Sequence, residues 1–388
     1  MNLENKIKNV IIINDYNYSQ GGASKVAIDN ANLLCEMGMN CILFSPVYKN
    51  TCEVNKNVQI VSTNEKDSLN CNNKIKGVIK GLNNKNLAKK LDVLLDKYSP
   101  LDTVVHVHGW TKACSAKVFK VAEKKGFNVY LTMHEYFSIC PNGALYNYNK
   151  MKACNYRPLS FKCIKCNCDS RSYMFKLYRI LRTYVYKYDM NMKKIRVIYI
   201  SKFEKRIFEK LGFKFNREMV LPNYVETIKK NDNKKIYDFV FVGRTSPEKG
   251  IELYLKLVSK LKDKKFLLIG DYKENKYENL YVTGWISENE VDKYINESRC
   301  MVFPSLWPET FGLNAIKAVQ SGMLCIASYN TALEDYIING KNGFLFKQGD
   351  FDDLYNKAEK IFALENTIDK CENNEQDYVN KLLLYYNS

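Results

Sequence analysis

Short runs of apolar residues alternate with amphipathic stretches along most of this chain. Residues 10–13, 266–269 and 324–327 are such runs. An uninterrupted apolar run of about four to eight residues is typical of a parallel strand that is buried on both faces. The stretches between the runs carry apolar residues at helical spacing, as in residues 25–37 and 251–261. The pattern therefore predicts an α/β fold in which strands and helices alternate.

The length of the chain and the order of these elements indicate two domains. The chain has 388 residues, of which 46% are hydrophobic, and this exceeds one core of ordinary size. We predict two Rossmann-like domains that face each other across a cleft. The first comprises residues 1–200, with an insertion at about 140–170, and the second comprises residues 201–365. Residues 366–388 are predicted to form a helix that packs back on the first domain.

The stretch 301–322 contains the clearest candidate for a ligand site. It begins as a short buried strand, passes through a turn with two prolines to Glu309, and continues as a helix that starts near Gly312. A helix that starts at the carboxyl end of a parallel strand directs unpaired backbone N–H groups at the ligand position. These groups suit a diphosphate, and the Glu309 carboxylate suits hydroxyl groups. The combination indicates a nucleotide-sugar, although an ordinary strand–turn–helix with a surface Glu has the same pattern.

Two cations follow another strand end. The loop 243–250 comes after the predicted strand 237–242, and it carries Arg244 and Lys249. Two cations near one helix start are well placed for a diphosphate. The alternative is surface charge in a Lys-rich chain.

Further candidates lie after other predicted strands. His134 follows one strand, Gly21 and Gly22 end the loop after the first strand, and Gly284 and Trp285 follow a third strand. Ligands in parallel sheets bind at such positions, and exposed backbone groups there can pair with the edge of a base. A lone histidine at a strand end is often structural, and a pair of glycines often forms a plain tight turn.

The balance of charge limits the classes of partner. The chain has 59 Lys and Arg against 42 Asp and Glu, and its formal net charge is +17. Such charge favours phosphates, nucleic acid or anionic lipid surfaces. The cations that the pattern places lie at strand ends and not among interleaved surface aromatics, so no nucleic-acid partner is expected.

A basic, aromatic helix is predicted over residues 172–194. Apolar residues mark one face and cations the other: Met174, Leu177, Leu181, Tyr184, Val185 and Tyr188 against Lys176, Arg179, Arg182 and Lys187. The helix either packs on the first domain or rests on an anionic membrane. Since there is no secretory start and no apolar run of about 18 residues, we expect a cytoplasmic protein, with the inner face of the membrane as a peripheral location.

Five of the 13 cysteines fall within 29 residues of the insertion. Cys163 and Cys166 have the spacing of a zinc knuckle, and Cys154 or Cys140 with Cys168 completes a set of four thiolates. A structural zinc ion would stabilise a loop that has few aliphatic residues. The alternative is a set of free thiols. A catalytic metal is not expected, because no His or carboxylate cluster accompanies the cysteines.

Taken in this order, the motifs resemble glycosyltransferase family 4, the retaining enzymes with the GT-B fold. The resemblance extends from about residue 9 to residue 365. It rests on Gly21-Gly22, His134-Glu135, Pro222-Asn223, Val242-Gly243-Arg244 with Glu248-Lys249-Gly250, Gly284-Trp285, and Pro304-Ser305 with Glu309-x-Phe311-Gly312-Leu313. The segment Cys140-Pro141-Asn142-Gly143, with the Cys-rich insertion that follows, resembles a bacterial branch of that family.

The resemblance implies catalytic roles for four residues. Arg244 and Lys249 are expected to hold the donor diphosphate and to stabilise charge on the departing nucleotide. Glu309 is expected to bind hydroxyl groups of the donor sugar, and His134 to contact that sugar and orient its anomeric carbon. The family typically needs no divalent ion or other cofactor, because the cations replace it. Retention is usually pictured as same-face attack, in which the donor phosphate takes the acceptor proton.

The resemblance also implies a set of donor-binding positions: Gly21, Gly22, Gly243, Gly284, Trp285, Phe311, Gly312, Leu313 and Lys317. The expected reaction is metal-independent transfer of a sugar, of the hexosyltransferase type, from a nucleotide-sugar to a glycan or lipid-linked acceptor. The expected setting is the synthesis of surface polysaccharide.

Lys317 departs from the family pattern, which has a second Glu eight residues after the first. That Glu normally accepts hydrogen bonds from ribose hydroxyls, whereas an ammonium group has donors and no acceptor. The departure leaves an alternative function open. The chain would then be a catalytically weak or inactive subunit that binds a sugar nucleotide or acts as a scaffold in a glycan-assembly complex.

Overall fold

A computed structural model describes residues 6–228, 235–273, 276–364 and 374–388. In this part of the chain the first sheet has seven strands: β1 (Asn9–Ile13), β2 (Asn40–Ser45), β3 (Gln59–Ser62), β4 (Thr103–Val107), β5 (Asn128–Met133), β8 (Arg196–Tyr199) and β9 (Arg217–Val220). Their spatial order is β3-β2-β1-β4-β5-β8-β9, and all neighbours are parallel. The insertion carries a separate antiparallel pair, β6 (Tyr146–Asn147) and β7 (Lys152–Ala153).

Helices cover both faces of the first sheet. They are α1 (Gly22–Glu36), α2 (Lys74–Leu82), α3 (Lys85–Leu95), α4 (Lys117–Lys124), α5 (Phe161–Lys165), α6 (Tyr173–Asp189) and α7 (Lys202–Lys210). Alternate residues of β1 belong to different cores, since Ile11 and Ile13 pack on one face and Val10 and Ile12 on the other. A strand that is buried on both faces needs no polar residue, and this explains the continuous apolar run.

The second sheet repeats the arrangement with six strands among the described residues: β10 (Tyr237–Val242), β11 (Phe266–Ile269), β12 (Leu280–Val282), β13 (Ser298–Phe303), β14 (Leu324–Ser328) and β15 (Gly343–Phe346). Their order is β12-β11-β10-β13-β14-β15, again all parallel. Its helices are α8 (Ile251–Lys260), α9 (Glu288–Asn296), α10 (Leu313–Gln320) and α11 (Phe351–Lys360). The predicted α/β class with two parallel-sheet domains is confirmed.

The first domain continues past the predicted boundary at residue 200. Strand β9 follows α7 and pairs with β8, so residues 201–220 complete the first sheet and do not begin the second domain. Phe208, Phe215 and Leu221 are buried in the first domain's cores, whereas Val225 is buried in a core of the second. The predicted boundary at residue 200 is therefore too early. A serine at a strand end followed by a helix, here Ser201 and α7, gives the same sequence pattern inside a domain as at the start of a new one.

The last helix, α12 (Glu375–Tyr386), lies against the first sheet. The Tyr386 hydroxyl is 2.6 Å from His106 Nδ1, and the Tyr130 hydroxyl donates to the Tyr385 carbonyl at 3.0 Å. Residues 366–373, which begin the predicted C-terminal segment, lie outside the described residues. The end of the chain therefore contributes to the core of the domain in which the chain starts.

Helix α12 offers a matched pair of leucines that tests this contact. Leu382 is buried in the first domain's core and Leu384 is exposed on the same helix. We expect Leu382→Ala to lower the free energy of unfolding by about 2–5 kcal/mol, since it leaves a cavity. Leu384→Ala should change it by less than about 0.5 kcal/mol. Urea unfolding followed by circular dichroism measures both, and equal effects would contradict the packing of α12.

Candidate active site

Lys249 and Glu309, two predicted site residues far apart in sequence, form an ion pair with Nζ and Oε2 2.6 Å apart. Lys249 ends the short 3-10 turn after β10, and Glu309 lies in the loop after β13. Since β10 and β13 are parallel neighbours, their carboxyl ends lie at the same edge of the sheet. The sheet thus brings both residues to the position where α/β folds bind ligands.

The Glu309 carboxylate is held in one orientation. Its Oε2 also accepts from the indole Nε1 of Trp307 at 2.8 Å and from the Ser305 hydroxyl at 3.3 Å. Its Oε1 has no hydrogen-bond partner among the described residues, so this oxygen remains available to a ligand hydroxyl. Trp307 is not among the predicted site residues. The signal was present, because an indole N–H is only a donor and needs an acceptor when it is buried.

Arg244 is the more loosely held of the two cations. Its side chain is exposed, and Nη2 lies 3.4 Å from Oε1 of the buried Glu248. The same Glu248 oxygen accepts from the Ser246 hydroxyl at 2.7 Å. The remaining guanidinium N–H groups make no hydrogen bond to a described residue. Arg244 is therefore free to turn toward an anionic ligand without breaking a strong contact.

The first domain meets the Glu309 loop directly. Thr310 Oγ1 donates to the His134 carbonyl at 2.8 Å, and the Tyr136 hydroxyl donates to the Pro308 carbonyl at 2.9 Å. Burial raises the pKa of Glu135, and the charges of Lys112, Arg244 and Lys249 act against this rise. Both candidate cations therefore lie close enough to act on a carboxyl group of the opposite domain. His134, Arg244, Lys249 and Glu309 share one cleft.

His134 is a neutral imidazole at ordinary pH. Its Nε2 lies 2.9 Å from His108 Nδ1, and burial lowers the pKa of His134 to about 3. The pKa of His108 is also lowered, to well below 6.5, chiefly by burial. The Nδ1 atom of His134 makes no hydrogen bond to another described residue. His134 can thus donate or accept one hydrogen bond at a ligand, but it brings no positive charge.

Three helix starts near the cleft have free backbone N–H groups. Helices α1, α8 and α10 begin after Gly21, Gly250 and Gly312, and none of the three has a side-chain cap. Helix α4 also lacks one, whereas α2, α3, α5, α6, α7, α11 and α12 are capped by Asn, Ser or Asp side chains. The unpaired N–H groups of an uncapped helix start can bind a phosphate group.

The starts of α1 and α10 touch each other across the cleft. A Cβ atom on Gly22 would come within 2.9 Å of Leu313 Cδ1, so Gly22 lies directly against the Leu313 side chain. Gly312 has a φ of 94°, which favours glycine, and it lets the chain turn sharply into α10. The Phe311 side chain lies in the core, so only its backbone can serve a ligand. These contacts bring Gly21, Gly22 and residues 311–313 together.

The predicted base-side residues lie at the same sheet edge but farther along it. Gly243 follows β10, and its N–H donates to the Ile269 carbonyl at the end of β11 at 2.9 Å. Gly284 and Trp285 follow β12, at the outer edge, and the indole is exposed. Among the described residues, no hydrogen bond or ion pair joins Gly284 or Trp285 to the Lys249–Glu309 pair.

Lys317 is buried and neutralised by two carboxylates of α9. Its Nζ lies 2.7 Å from Asp292 Oδ1 and 3.3 Å from Glu288 Oε1. Glu288 also pairs with Lys25 of the first domain at 3.0 Å. Burial favours the neutral form of Glu288, yet Lys25 and Lys317 hold its pKa below the usual range. Carboxylate oxygens are therefore present beside the position where the family pattern has its second Glu.

The cysteines of the insertion surround an ammonium group. Lys176 Nζ lies 3.1 Å from Cys168 Sγ and 3.6 Å from Cys163 Sγ, while Cys166 Sγ accepts from Asn147 Nδ2 at 3.2 Å. Within the described ranges, no three His, Cys, Asp or Glu side chains are grouped so that they could hold a metal ion. A structural zinc ion held by Cys154, Cys163, Cys166 and Cys168 stays a prediction.

Comparisons with known proteins bear on this site. Residues 225–378 match the family model described as "Glycosyl transferases group 1". The chain is 33% identical over 132 residues to an uncharacterized 41.2 kDa protein in the cps region of Klebsiella pneumoniae, covering 31% of this chain and 37% of that protein. It is 33% identical over 133 residues to the sulfoquinovosyl transferase SQD2 of Arabidopsis thaliana, covering 31% and 26%. The matches thus span well under half of either relative.

The likeness to solved structures covers nearly the whole chain. HepE from Anabaena, in complex with UDP and glucose, has a TM-score of 0.60 at 14% identity, over 98% of this chain and 95% of that chain. The chain has the GT-B fold. One lobe of this GT-B fold is built around the seven-stranded sheet, and the other around the six-stranded sheet. Among the described residues, no helix has both the length and the apolar character needed to cross a membrane.

Stability should depend on the charge state of His134. Its folded pKa of about 3 lies below the ordinary value of 6.5, so the unfolded chain takes up the proton first. The stabilisation is complete above pH 6.5 and is lost as pH falls toward 3. From pH 7 to pH 5, the free energy of unfolding of the wild type should fall by about 2 kcal/mol more than that of His134→Gln. Urea unfolding at both pH values measures this, and an equal fall would contradict it.

The ion pairs of Lys317 can be tested by charge exchange. Lys317→Glu places a third carboxylate beside Asp292 and Glu288, and we expect it to lower the free energy of unfolding by about 3–5 kcal/mol. Lys317→Met should cost less, because it adds no repulsion. Combining Lys317→Glu with Asp292→Lys restores opposite charges and should recover much of the loss. Thermal unfolding of the wild type and the three variants gives the order of their stabilities. No recovery of stability in the double variant would argue against the Lys317–Asp292 ion pair.

Proposed function

We propose that this chain is a glycosyltransferase that moves a sugar from a nucleotide-sugar donor to a glycan or lipid-linked acceptor. One observation carries the proposal. Lys249 and Glu309 are paired at the carboxyl edge of the second sheet, beside helix starts whose N–H groups are free. Cations and free N–H groups suit a diphosphate, and an oriented carboxylate suits sugar hydroxyls. The match of residues 225–378 to the group 1 glycosyl transferases supports the same assignment.

The proposed donor contacts follow from the free groups of the site. Arg244 and the N–H groups of residues 311–313 bind the diphosphate, together with the ammonium donors of Lys249 that Glu309 does not use. Glu309 Oε1 receives a hydroxyl of the donor sugar. Gly284 and Trp285 border the base, and Gly21, Gly22 and Gly243 leave room for the diphosphate. HepE, which binds UDP and glucose on a similar fold, supports this class of donor.

The proposed reaction retains the configuration of the sugar and uses no protein base. With a pKa of about 3, His134 is neutral, so it can orient the anomeric carbon by a hydrogen bond and leaves the charge of the leaving group to Arg244 and Lys249. The acceptor attacks from the face of the departing phosphate, which takes the acceptor proton. The paired Lys249, the exposed Arg244 and three helix starts supply the electrostatic stabilisation, so we propose that no divalent ion is needed.

The proposed setting is surface polysaccharide synthesis at the inner face of the membrane. The relative in the cps region of Klebsiella pneumoniae and the basic charge of the chain support it. The alternative, a non-catalytic binding subunit, was motivated by Lys317. Asp292 and Glu288 carry acceptor oxygens beside Lys317, so a lack of acceptors at that position no longer argues against catalysis.

A screen of nucleotide-sugars by thermal shift identifies the donor, because a ligand that binds the folded state raises the melting temperature. Release of the nucleoside diphosphate from that donor then measures turnover. We expect Lys249→Ala and Arg244→Ala each to lower turnover by about 10²-fold, the scale for loss of a charge-stabilising donor. Lys260→Ala, at an exposed position on α8, is the matched control and should have no effect. Unchanged turnover in both site variants would remove the two cations from the mechanism.

A further inference from the structure

Helix α6 packs on the first domain with two of its cations inward. Lys176 and Arg182 are 0% and 8% exposed, whereas Met174, Leu181 and Tyr188 are 72%, 54% and 78% exposed. A surface helix of a globular protein ordinarily buries its apolar stripe and exposes its charges. Helix α6 instead buries these two cations together with Ile180 and Tyr186, and it leaves a row of large apolar side chains on the surface.

Specific contacts hold α6 in this orientation. Lys176 Nζ lies against the thiols of Cys163 and Cys168. The Arg182 guanidinium lies over the Phe137 ring at 5.1 Å and donates to the Thr111 carbonyl at 3.4 Å. Because both cations have partners inside the domain, rotation of the helix to bury its apolar stripe would break these contacts.

Helix α2 extends the apolar surface. The Tyr178 hydroxyl of α6 donates to the Val78 carbonyl at 3.3 Å, and the Tyr186 hydroxyl to the Gly81 carbonyl at 3.1 Å, so the helices lie side by side. Both present exposed apolar side chains, and together these form the outer face: Ile75, Ile79, Met174, Leu181, Tyr184 and Tyr188.

The charges around the outer face have one sign. At α6, Arg171 and Lys187 are exposed, whereas the two acidic residues of 150–190, Asp169 and Asp189, have fully buried side chains. Helix α2 has two exposed lysines, Lys74 and Lys76, and no acidic residue, while its third lysine, Lys80, pairs with Glu65. A second copy of the chain docked through the same face would set cations against cations, which is unfavourable. The occupant of the face should instead be apolar and anionic.

We propose that the outer face docks on an anionic lipid bilayer. Met and Leu side chains would enter the boundary between headgroups and acyl chains, and tyrosines favour the level of the headgroups. Exposed lysines and arginines beside them would meet anionic headgroups. Two adjacent helices that both expose apolar side chains and lysines or arginines have the features of an interfacial anchor.

The docking plane has a defined relation to the cleft. Phe137, which contacts the buried side of α6 through Arg182, lies in the short turn that follows His134. A bilayer on the outer face would therefore hold the His134 side of the cleft near the lipid surface, where a lipid-linked acceptor is presented. This last step rests on the proposed function, whereas the docking itself does not.

Cosedimentation with vesicles tests the docking. The full chain should bind vesicles of phosphatidylcholine mixed with phosphatidylglycerol, and bind at least about tenfold less to phosphatidylcholine alone or at high salt. The double variant Leu181→Glu/Tyr188→Glu should lose at least about tenfold in binding to the mixed vesicles. Leu101→Glu, at a position that is 73% exposed elsewhere in the first domain, is the matched control and should bind like the wild type.

Several results would overturn the proposal. They are no binding to the mixed vesicles, equal binding to neutral vesicles, or equal loss in the Leu101→Glu control. A concentration-dependent dimer that the double variant abolishes, without vesicle binding, would assign the face to a second copy. Release of nucleoside diphosphate in solution should be unchanged in the double variant. Failure of the donor screen would count against the proposed function and leave the vesicle result standing.

Discussion

The parallel pairing of β10 with β13 is the constraint on which the candidate site depends. It aligns Phe239 with Cys300 and Val240 with Met301, so the loops that follow both strands leave the sheet at one edge. Lys249 and Glu309 meet there, although 60 residues separate them. Both side chains are largely removed from water, and an ion pair in such a place is stronger than one on the surface. The pair fixes each partner before any ligand arrives.

The electrostatic potential of the cleft depends on the hydrogen-bond donors that the Lys249–Glu309 pair leaves free. An ammonium group has three donors, and Glu309 takes one of them, so Lys249 keeps donors for a phosphate. The free N–H groups at the starts of α1, α8 and α10 add partial positive charge in the same region. Because these groups are fixed by the fold, they need not reorganise when charge develops on a leaving group. The cleft thus collects positive potential from backbone and side chains together.

The elements were predictable where the sequence signal is local. The strands Tyr237–Val242 and Phe266–Ile269 have the predicted bounds, because the second is apolar and buried from end to end and the first is apolar except for Asp238 near its half-buried start. Strand β13 starts at Ser298, three residues before its apolar run, since backbone pairing does not require an apolar side chain. Site positions at strand ends could be proposed for the same local reason. Their partners, such as Trp307 for Glu309 or Asp292 for Lys317, depend on tertiary contacts that no spacing reveals.

The orientation of α6 shows the limit of periodicity most clearly. The spacing predicts an apolar face and a cationic face, but it does not determine which side chains point inward. Helix α6 buries Lys176 and Arg182 together with Ile180 and Tyr186. That choice depends on thiols, aromatic rings and a carbonyl contributed by other segments, which together accommodate Lys176 and Arg182. Burying two cations while exposing Met174 and Leu181 costs hydrophobic stabilisation that the opposite orientation would keep. A second apolar surface that covered the exposed stripe would recover this cost, and this is the physical reason for the docking that we propose.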